Sequence, residues 1–304
     1  MPDLNENAQL DTSQVEDVRG SGGGFGGGGL PIPGGRIGGG IAGLLIMLVL
    51  GFLGYNGVLP GTGGGDPPAG DLAEECAVDN AQRFERADCR NLAYVNSIQA
   101  YWKSALPKTL GQPYQVTTTR FFSDAVNTGC GQASSGVGPF YCPADSHVYI
   151  DLRFYEELAG RFGATGEFAE AYVVAHEYGH HIQNLLGTSE QVHRAQQRDP
   201  DNANRYSIML ELQADCYAGA WAAHAAQTED MKGNRLFDAI TERDIAEALQ
   251  AAAAVGDDAI QRKSGGGIDQ ESWTHGSSEQ RQRWFTTGYK AGDPKRCDTF
   301  SGGS

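Results

Sequence analysis

The sequence predicts an α+β fold, mostly helical with a small β-sheet, preceded by a disordered tail and one transmembrane helix. Three observations lead there. Roughly the first 70 of the 304 residues are too glycine-rich or too uniformly apolar to join a water-soluble core. Beyond residue 153, apolar side chains recur at helical spacing over roughly 153–162, 167–186, 202–226, 241–255 and 278–291. Elsewhere only YQVTTTRFF, 114–122, and the stretch around 147–152 have the β-branched and aromatic character of strands.

In chain order, residues 1–36 dissolve into GSGGGFGGGGLPIPGG, where the entropy of glycine and the lack of apolar side chains predict a disordered tail. Residues 37–59, IGGGIAGLLIMLVLGFLGYNGVL, carry no charge. As a helix they would reach about 34 Å, enough for a hydrocarbon core of about 30 Å, so a transmembrane helix is predicted. A cleaved signal peptide is the alternative, but no A-x-A-type site follows Leu53 before GTGGGDPPAG. With Arg19 and Arg36 ahead of the span, the expected topology is a single-pass cell-membrane protein. Its N-terminus would be cytoplasmic, its larger part extracytoplasmic, and the lipid bilayer a partner. Residues 60–75 read as a linker and 76–304 as one folded domain, which opens with helical spacing over 79–105. The glycine-, serine- and proline-punctuated run 128–155 is a loop that ends in the second strand.

Thirty-eight acidic residues against 23 basic give a formal charge of −15, so no nucleic-acid partner is expected. All six cysteines, Cys76, Cys89, Cys130, Cys142, Cys216 and Cys297, follow the apolar run, and an even number facing an oxidising compartment reads as disulfides. Short loops favour Cys76 with Cys89 and Cys130 with Cys142, which leaves Cys216 for Cys297, although the sequence alone does not choose the connectivity. A four-cysteine zinc site is the rival, and no CxxC pair supports it.

The chemistry concentrates in VVAHEYGHHIQ, 173–183, which holds three of the seven histidines. His176 and His180 are four apart on a helix, a turn of about 400°, so both imidazoles face one way and can share an ion. A zinc site with an open position needs a third protein ligand. SIMLELQADCYAGAWAAH, 207–224, offers Glu211 and Asp215, again four apart, on a helix otherwise made of apolar residues. Unpaired carboxylates there would be costly. Glu211 is therefore the expected third ligand and Asp215 the acceptor of a ligand histidine's free ring N–H. Salt bridges to Arg194 or Arg205 on a solvated face are the alternative for both. One Zn2+ per chain is expected; manganese and cobalt are alternatives, and two histidines with a carboxylate suit zinc best. Glu177, between the two histidines, is the expected general base, taking a proton from water that attacks a peptide carbonyl.

SWTHGSSEQRQRWF, 272–285, supplies His275 as candidate oxyanion donor and Arg281 as a cation that orients nearby carboxylates. Serine 277 or 278 would cap the last helix. His181 points about 100° away from His180, and His147, His193 and His224 sit in no ligand spacing, so all four read as ordinary residues. Cys130 or Cys142 as a fourth, blocking ligand would make the site latent; disulfide pairing competes with that reading. The strand at 114–122 or the one at 147–152 could present an edge to an extended peptide.

These motifs resemble the bacterial neutral zinc metallopeptidases over nearly the whole chain. The resemblance is carried by the glycine-rich run into the apolar segment, TGCGQASSGVGPFYCPADSHVYIDLRFY, AHEYGHHIQ, LELQADCYAG and THGSSEQRQRWFTTGYKAGDPKRCDTF. It implies a membrane-tethered, zincin-like peptidase domain of the gluzincin type, with His176 and His180 as ligands and Glu177 as catalyst. ELQAD also resembles the E-x-x-x-D motif of the wider group that includes membrane CAAX proteases. That group's H-P-x-x-x-x-R resembles His275 to Arg281 in spacing, except that Gly276 stands where the pattern has proline. The expected partner is a peptide or protein substrate. A catalytically silent zinc-stabilised scaffold is the alternative, against which Glu177 speaks, because a closed structural site has no use for it.

Overall fold

The computed structural model describes residues 2–20, 46–47, 70–265 and 267–301, with backbone alone at 46–47. Its helices are α1 (Leu72–Glu75), α2 (Ala87–Ala105), α3 (Phe154–Gly160), α4 (Glu167–Leu185), α5 (Thr188–Arg198), α6 (Ala203–Ala222), α7 (Glu242–Ala254), α8 (Asp257–Lys263) and α9 (Ser278–Ala291). Its strands are β1 (Asp3–Leu4), β2 (Val15–Asp17), β3 (Ile46–Met47), β4 (Thr119–Phe121), β5 (Ala125–Thr128), β6 (Gly131–Ser134), β7 (Phe140–Cys142), β8 (His147–Ile150) and β9 (Phe237–Ala239). One mixed sheet runs β2-β4-β8-β7-β3, parallel from β2 through β8 and antiparallel from β8 to β3. The pairs β1 with β9 and β5 with β6 form two small ladders.

The mixed α+β character with a small sheet therefore stands. Helix α4 is its centre: Phe168, Ala171, Tyr172, Val173, Val174, Tyr178 and Ile182 are all fully buried, so the helix is apolar around its girth and packs on α2, α6, α7 and β7. Gly179 permits its closest approach. A Cβ there would stand 2.9 Å from the Ala214 Cα of α6, a distance no side chain tolerates, so this glycine lets the two backbones touch. At the far ends, Thr241 and Ser277 form capping boxes with Asp244 and Gln280 that start α7 and α9.

Three expectations are corrected. A transmembrane helix over 37–59 is overturned: Ile46–Met47, in its middle, is extended and pairs with Tyr141 and Phe140 of β7, while the rest lies outside the described residues. Among the described residues no helix is long and apolar enough to cross a membrane. Length and lack of charge suit an extended apolar segment against an apolar strand as well as they suit a span. With the span go the membrane tether, the lipid bilayer as a partner, and the single-pass topology with its cytoplasmic N-terminus.

Residues 2–20, assigned to a disordered tail, are folded, and 21–36 lie outside the described residues. Leu4, Ala8 and Val15 are buried, and β2 extends the main sheet. The Arg83 guanidinium takes the carbonyls of Asn5, Glu6 and Ala8 at 3.2, 2.9 and 2.8 Å, and Arg19 bonds Asp17 and Asp88 at 2.6 and 2.8 Å. Apart from Asp17, beside Arg19, each partner lies tens of residues away, so no local pattern announces this arm. Within the 60–75 linker, Leu72–Glu75 is already helical.

The strand expected over 114–122 is confined to Thr119–Phe121. Upstream, side chains replace the ladder: Gln99 bonds both the N–H and the carbonyl of Thr117, and His181 donates to Gln115 O at 2.7 Å. The cysteines pair Cys76–Cys89, Cys130–Cys142 and Cys216–Cys297, the pattern that short loops favoured.

Candidate metal centre

Helix α4 presents His176 and His180 to α6, where Gly179 has brought the backbones together. Their Nε2 atoms lie 3.1 Å apart. Glu211 of α6 completes the triangle, with Oε2 at 3.1 Å from His176 Nε2 and Oε1 at 3.4 Å from His180 Nε2. All three are buried, and one ligand atom from each lies within 4.8 Å of the others.

The far nitrogens decide what this triangle can hold. His176 Nδ1 lies 2.9 Å from Asp215 Oδ1 and 3.2 Å from Arg281 Nη2, but that guanidinium is already committed to both Asp215 oxygens, at 2.8 and 3.0 Å. The carboxylate is thus the partner that matters, and Nδ1 carries a proton to give it. His180 Nδ1 meets Gln183 Oε1 at 2.8 Å, while the Gln183 amide nitrogen donates to Leu210 O at 2.7 Å, so His180 is also protonated at Nδ1. Two Nε2 atoms and a carboxylate then converge on one point, where only a proton or a metal ion can join them. That donor set fits a cation, and two imidazoles with one carboxylate are what zinc takes at a site with an open position.

Electrostatics agree. Burial depresses the His176 imidazolium, yet Asp215 and Glu211 overcome it and hold its pKa up at about 9, so in the metal-free protein a proton takes the cation's place. Burial together with its cationic neighbours drops the His180 pKa to about 4, keeping that ring neutral. Despite burial, the two histidines hold the Glu211 carboxyl far below the usual range.

Glu177 lies fully buried beside this triangle, and neither carboxyl oxygen has a hydrogen-bond partner. The Tyr141 N–H of β7 is near it without hydrogen-bonding geometry, and burial pushes the Glu177 pKa up to about 8. A buried carboxyl left without a partner is rare in structural roles and is suited to handling a proton.

The remaining expected residues join the same network. Asp215 accepts from Tyr172 O–H at 2.6 Å as well as from His176 and Arg281. Arg281 also donates to Val255 O at 3.2 Å and stands 4.0 Å from Glu211. His275 is buried, and its Nδ1 lies 3.0 Å from Asp257 Oδ1. Although burial works against it, Asp257 and Glu211 raise the His275 pKa. Asp257 Oδ2 takes the backbone N–H groups of Thr274, His275 and Gly276 at 2.9, 2.7 and 3.0 Å. This explains the glycine at 276: its φ of +91° and its donated N–H are both beyond proline, so the turn here differs from the H-P pattern.

Asp257, Gln183 and Tyr172 were not singled out from the sequence. Gln183 and Tyr172 lie three or four residues from a ligand histidine on the same helix face, a signal that spacing could have supplied. Asp257 had none. His181 accepts from Tyr141 O–H at 3.0 Å and donates to Gln115 O, and burial takes its pKa to about 4. Arg194 pairs with Glu190 at 2.8 Å rather than with Glu211 or Asp215. Cys130 and Cys142 are bonded to each other, so neither is a thiolate that could block the site.

Comparison with known proteins agrees with this geometry. Residues 6–300 match the family described as "putative neutral zinc metallopeptidase". An uncharacterised protein of Mycobacterium tuberculosis is 49% identical over 236 residues, covering 77% of each chain. The uncharacterised protein YpfJ of Escherichia coli K12 is 39% identical over 293 residues, covering 95% of this chain and 96% of its own. No solved structure matches the chain. Matched over almost its full length by that family, the chain belongs to the neutral zinc metallopeptidases.

Proposed function

We propose that this protein is a zinc-dependent peptidase that hydrolyses peptide bonds in a peptide or protein substrate. The observation that carries the reading is the pairing of a convergent donor set, His176, His180 and Glu211, with a buried carboxyl, Glu177, that no protein group satisfies. A zinc ion held by those three side chains would supply Lewis-acid polarisation of the scissile carbonyl and acidify the attacking water.

The protein's own groups do the rest. Glu177 accepts a proton from that water and returns it to the leaving amine; its elevated affinity for protons suits both halves of the task. His275, held through Nδ1 by Asp257 and coupled electrostatically to Glu211, is the group assigned to the developing oxyanion. Asp215 fixes the ring of His176, and Arg281 keeps Asp215 ionised in a buried setting. The burial of the whole group excludes bulk water and strengthens each of these interactions.

The test is zinc content by mass spectrometry beside hydrolysis of a quenched-fluorescent peptide library, using the full-length chain because residues 2–20 are part of the fold. One zinc per chain is expected, retained in Glu177→Gln with hydrolysis reduced by about 10²–10⁴-fold, the usual worth of a general base. Glu211→Ala should lose both. Zinc bound without hydrolysis of any library member would instead favour the scaffold reading, and zinc undiminished in Glu211→Ala would remove the third ligand.

A further inference from the structure

His180 is tied to a chain of amides that leads away from the site. Its Nδ1 meets Gln183 Oε1 at 2.8 Å; Gln183 Nε2 donates to Leu210 O at 2.7 Å and to Gln213 Oε1 at 3.2 Å; Gln213 Nε2 donates to Cys297 O at 2.9 Å. Every member is buried, so water does not compete along the way. The direction of the chain is forced from its far end. Backbone carbonyls only accept, so Cys297 O and Leu210 O draw the two amide nitrogens toward themselves, and each amide oxygen must point back toward His180. The ring then faces an acceptor and is protonated at Nδ1, which leaves the Nε2 lone pair for a metal.

The far end is itself pinned. Cys297 is bonded to Cys216, and Thr299 Oγ1 donates to Met209 O at 2.6 Å. Met209, Gln213 and Cys216, spaced four and three apart, lie on one face of α6, so the C-terminal segment is laid along the helix that supplies Glu211.

We propose that Gln183 and Gln213 are positioning residues that fix the tautomer of His180, and that their anchorage at the Cys216–Cys297 bridge sets the zinc affinity of the site from outside its ligands. This rests on the zinc reading above, but the tautomer is a property of the metal-free protein and can be tested without it. ELQAD contributes Gln213 itself, but nothing in either motif encodes its link to Cys297. It exists because the segment around Cys297–Thr299 packs against α6, the helix that carries ELQAD.

The experiment measures zinc affinity by chelator competition and the His180 ring tautomer by 15N NMR of the metal-free full-length protein. The variants are Gln183→Met, Gln213→Met, Gln183→Glu and Cys297→Ser, with circular dichroism to establish folding. Gln183→Met should raise the zinc Kd by about 10–100-fold, the usual effect of removing an outer partner of a ligand histidine, and Gln213→Met and Cys297→Ser should raise it by smaller factors. The wild-type ring should be the Nδ1–H tautomer, mixed in Gln183→Met and restored in Gln183→Glu, which keeps an acceptor on Nδ1. A folded Gln183→Met with zinc Kd within about twofold of wild type, far short of the usual outer-partner effect, would overturn the proposal. So would a wild-type ring protonated at Nε2. Should Gln183→Met not fold, Gln213→Met carries the same test one link further out. A wild type that binds no zinc yet shows the Nδ1–H ring would sink the metal reading and leave the amide relay standing.

Discussion

Among the described residues, two clusters bring metal-ligand side chains within 4.8 Å of one another: His176, His180 and Glu211, and Cys76, Asp88 and Cys89. Both are buried, and by proximity alone they are equivalent. What separates them is how their charge and lone pairs are already spent. In the second, the two sulfurs are bonded to each other, and Asp88 is met by Arg19 and Arg86, each at 2.8 Å. Nothing there awaits a cation. In the first, both Nε2 atoms point at Glu211, and only a proton or a metal ion can join the three. When ionised, Glu177, Glu211 and Asp215 face a single buried guanidinium, Arg281, which leaves two negative charges for a divalent ion to neutralise. Ligand proximity nominates a metal site; unsatisfied charge selects it.

The largest break in this comparison comes from Arg281→Met. Removing the guanidinium that pairs with Asp215 takes away that carboxylate's ion-pair partner, and urea unfolding should show a loss of about 3–5 kcal/mol, the cost of breaking a buried pair from one side. A loss of a few tenths would mean that Asp215 is satisfied by Tyr172 and His176 alone. Next, Cys76→Ser/Cys89→Ser should cost about 3 kcal/mol of stability, as a loop of this length implies, while zinc content stays unchanged. Zinc lost along with stability would join the two clusters that the structure separates. Asp215→Asn should weaken zinc binding by about 10–100-fold through the loosened His176 ring, read by chelator competition.

The smallest effect is a proton count. With His176 held up at about 9 and Glu177 at about 8, both carry protons at pH 7 in the metal-free protein. Zinc takes the place of the first and lowers the affinity for the second. Calorimetry in buffers of different ionisation enthalpy should therefore show between about one and two protons released per zinc at pH 7, falling toward zero above pH 9. Uptake, or no release, would mean that the site is empty of protons before the metal arrives.

Much of the site was legible because its parts are local. HExxH and ELQAD each place two functional side chains one helical turn apart, and a period of 3.6 residues guarantees that each pair shares a face. The helices that carry them were visible for the same reason, as was the favoured disulfide pairing, since short loops close at least entropic cost. The apolar run at 37–59 shows the limit of this: length and lack of charge describe what a segment avoids, not what it packs against, and Ile46–Met47 found a strand edge.

The sequence by itself thus determined which side chains could meet an ion and on which helices they would ride. Tertiary structure decided everything that depends on distant partners: the arm of residues 2–20 folded under Arg83, Asp257 holding the turn of His275, and the amides that lead from His180 to Cys297. Apart from the single turn between His180 and Gln183, those contacts join residues whose spacing has no period, so no pattern along the chain encodes them. They exist because a buried donor or acceptor must find its partner wherever packing happens to bring one.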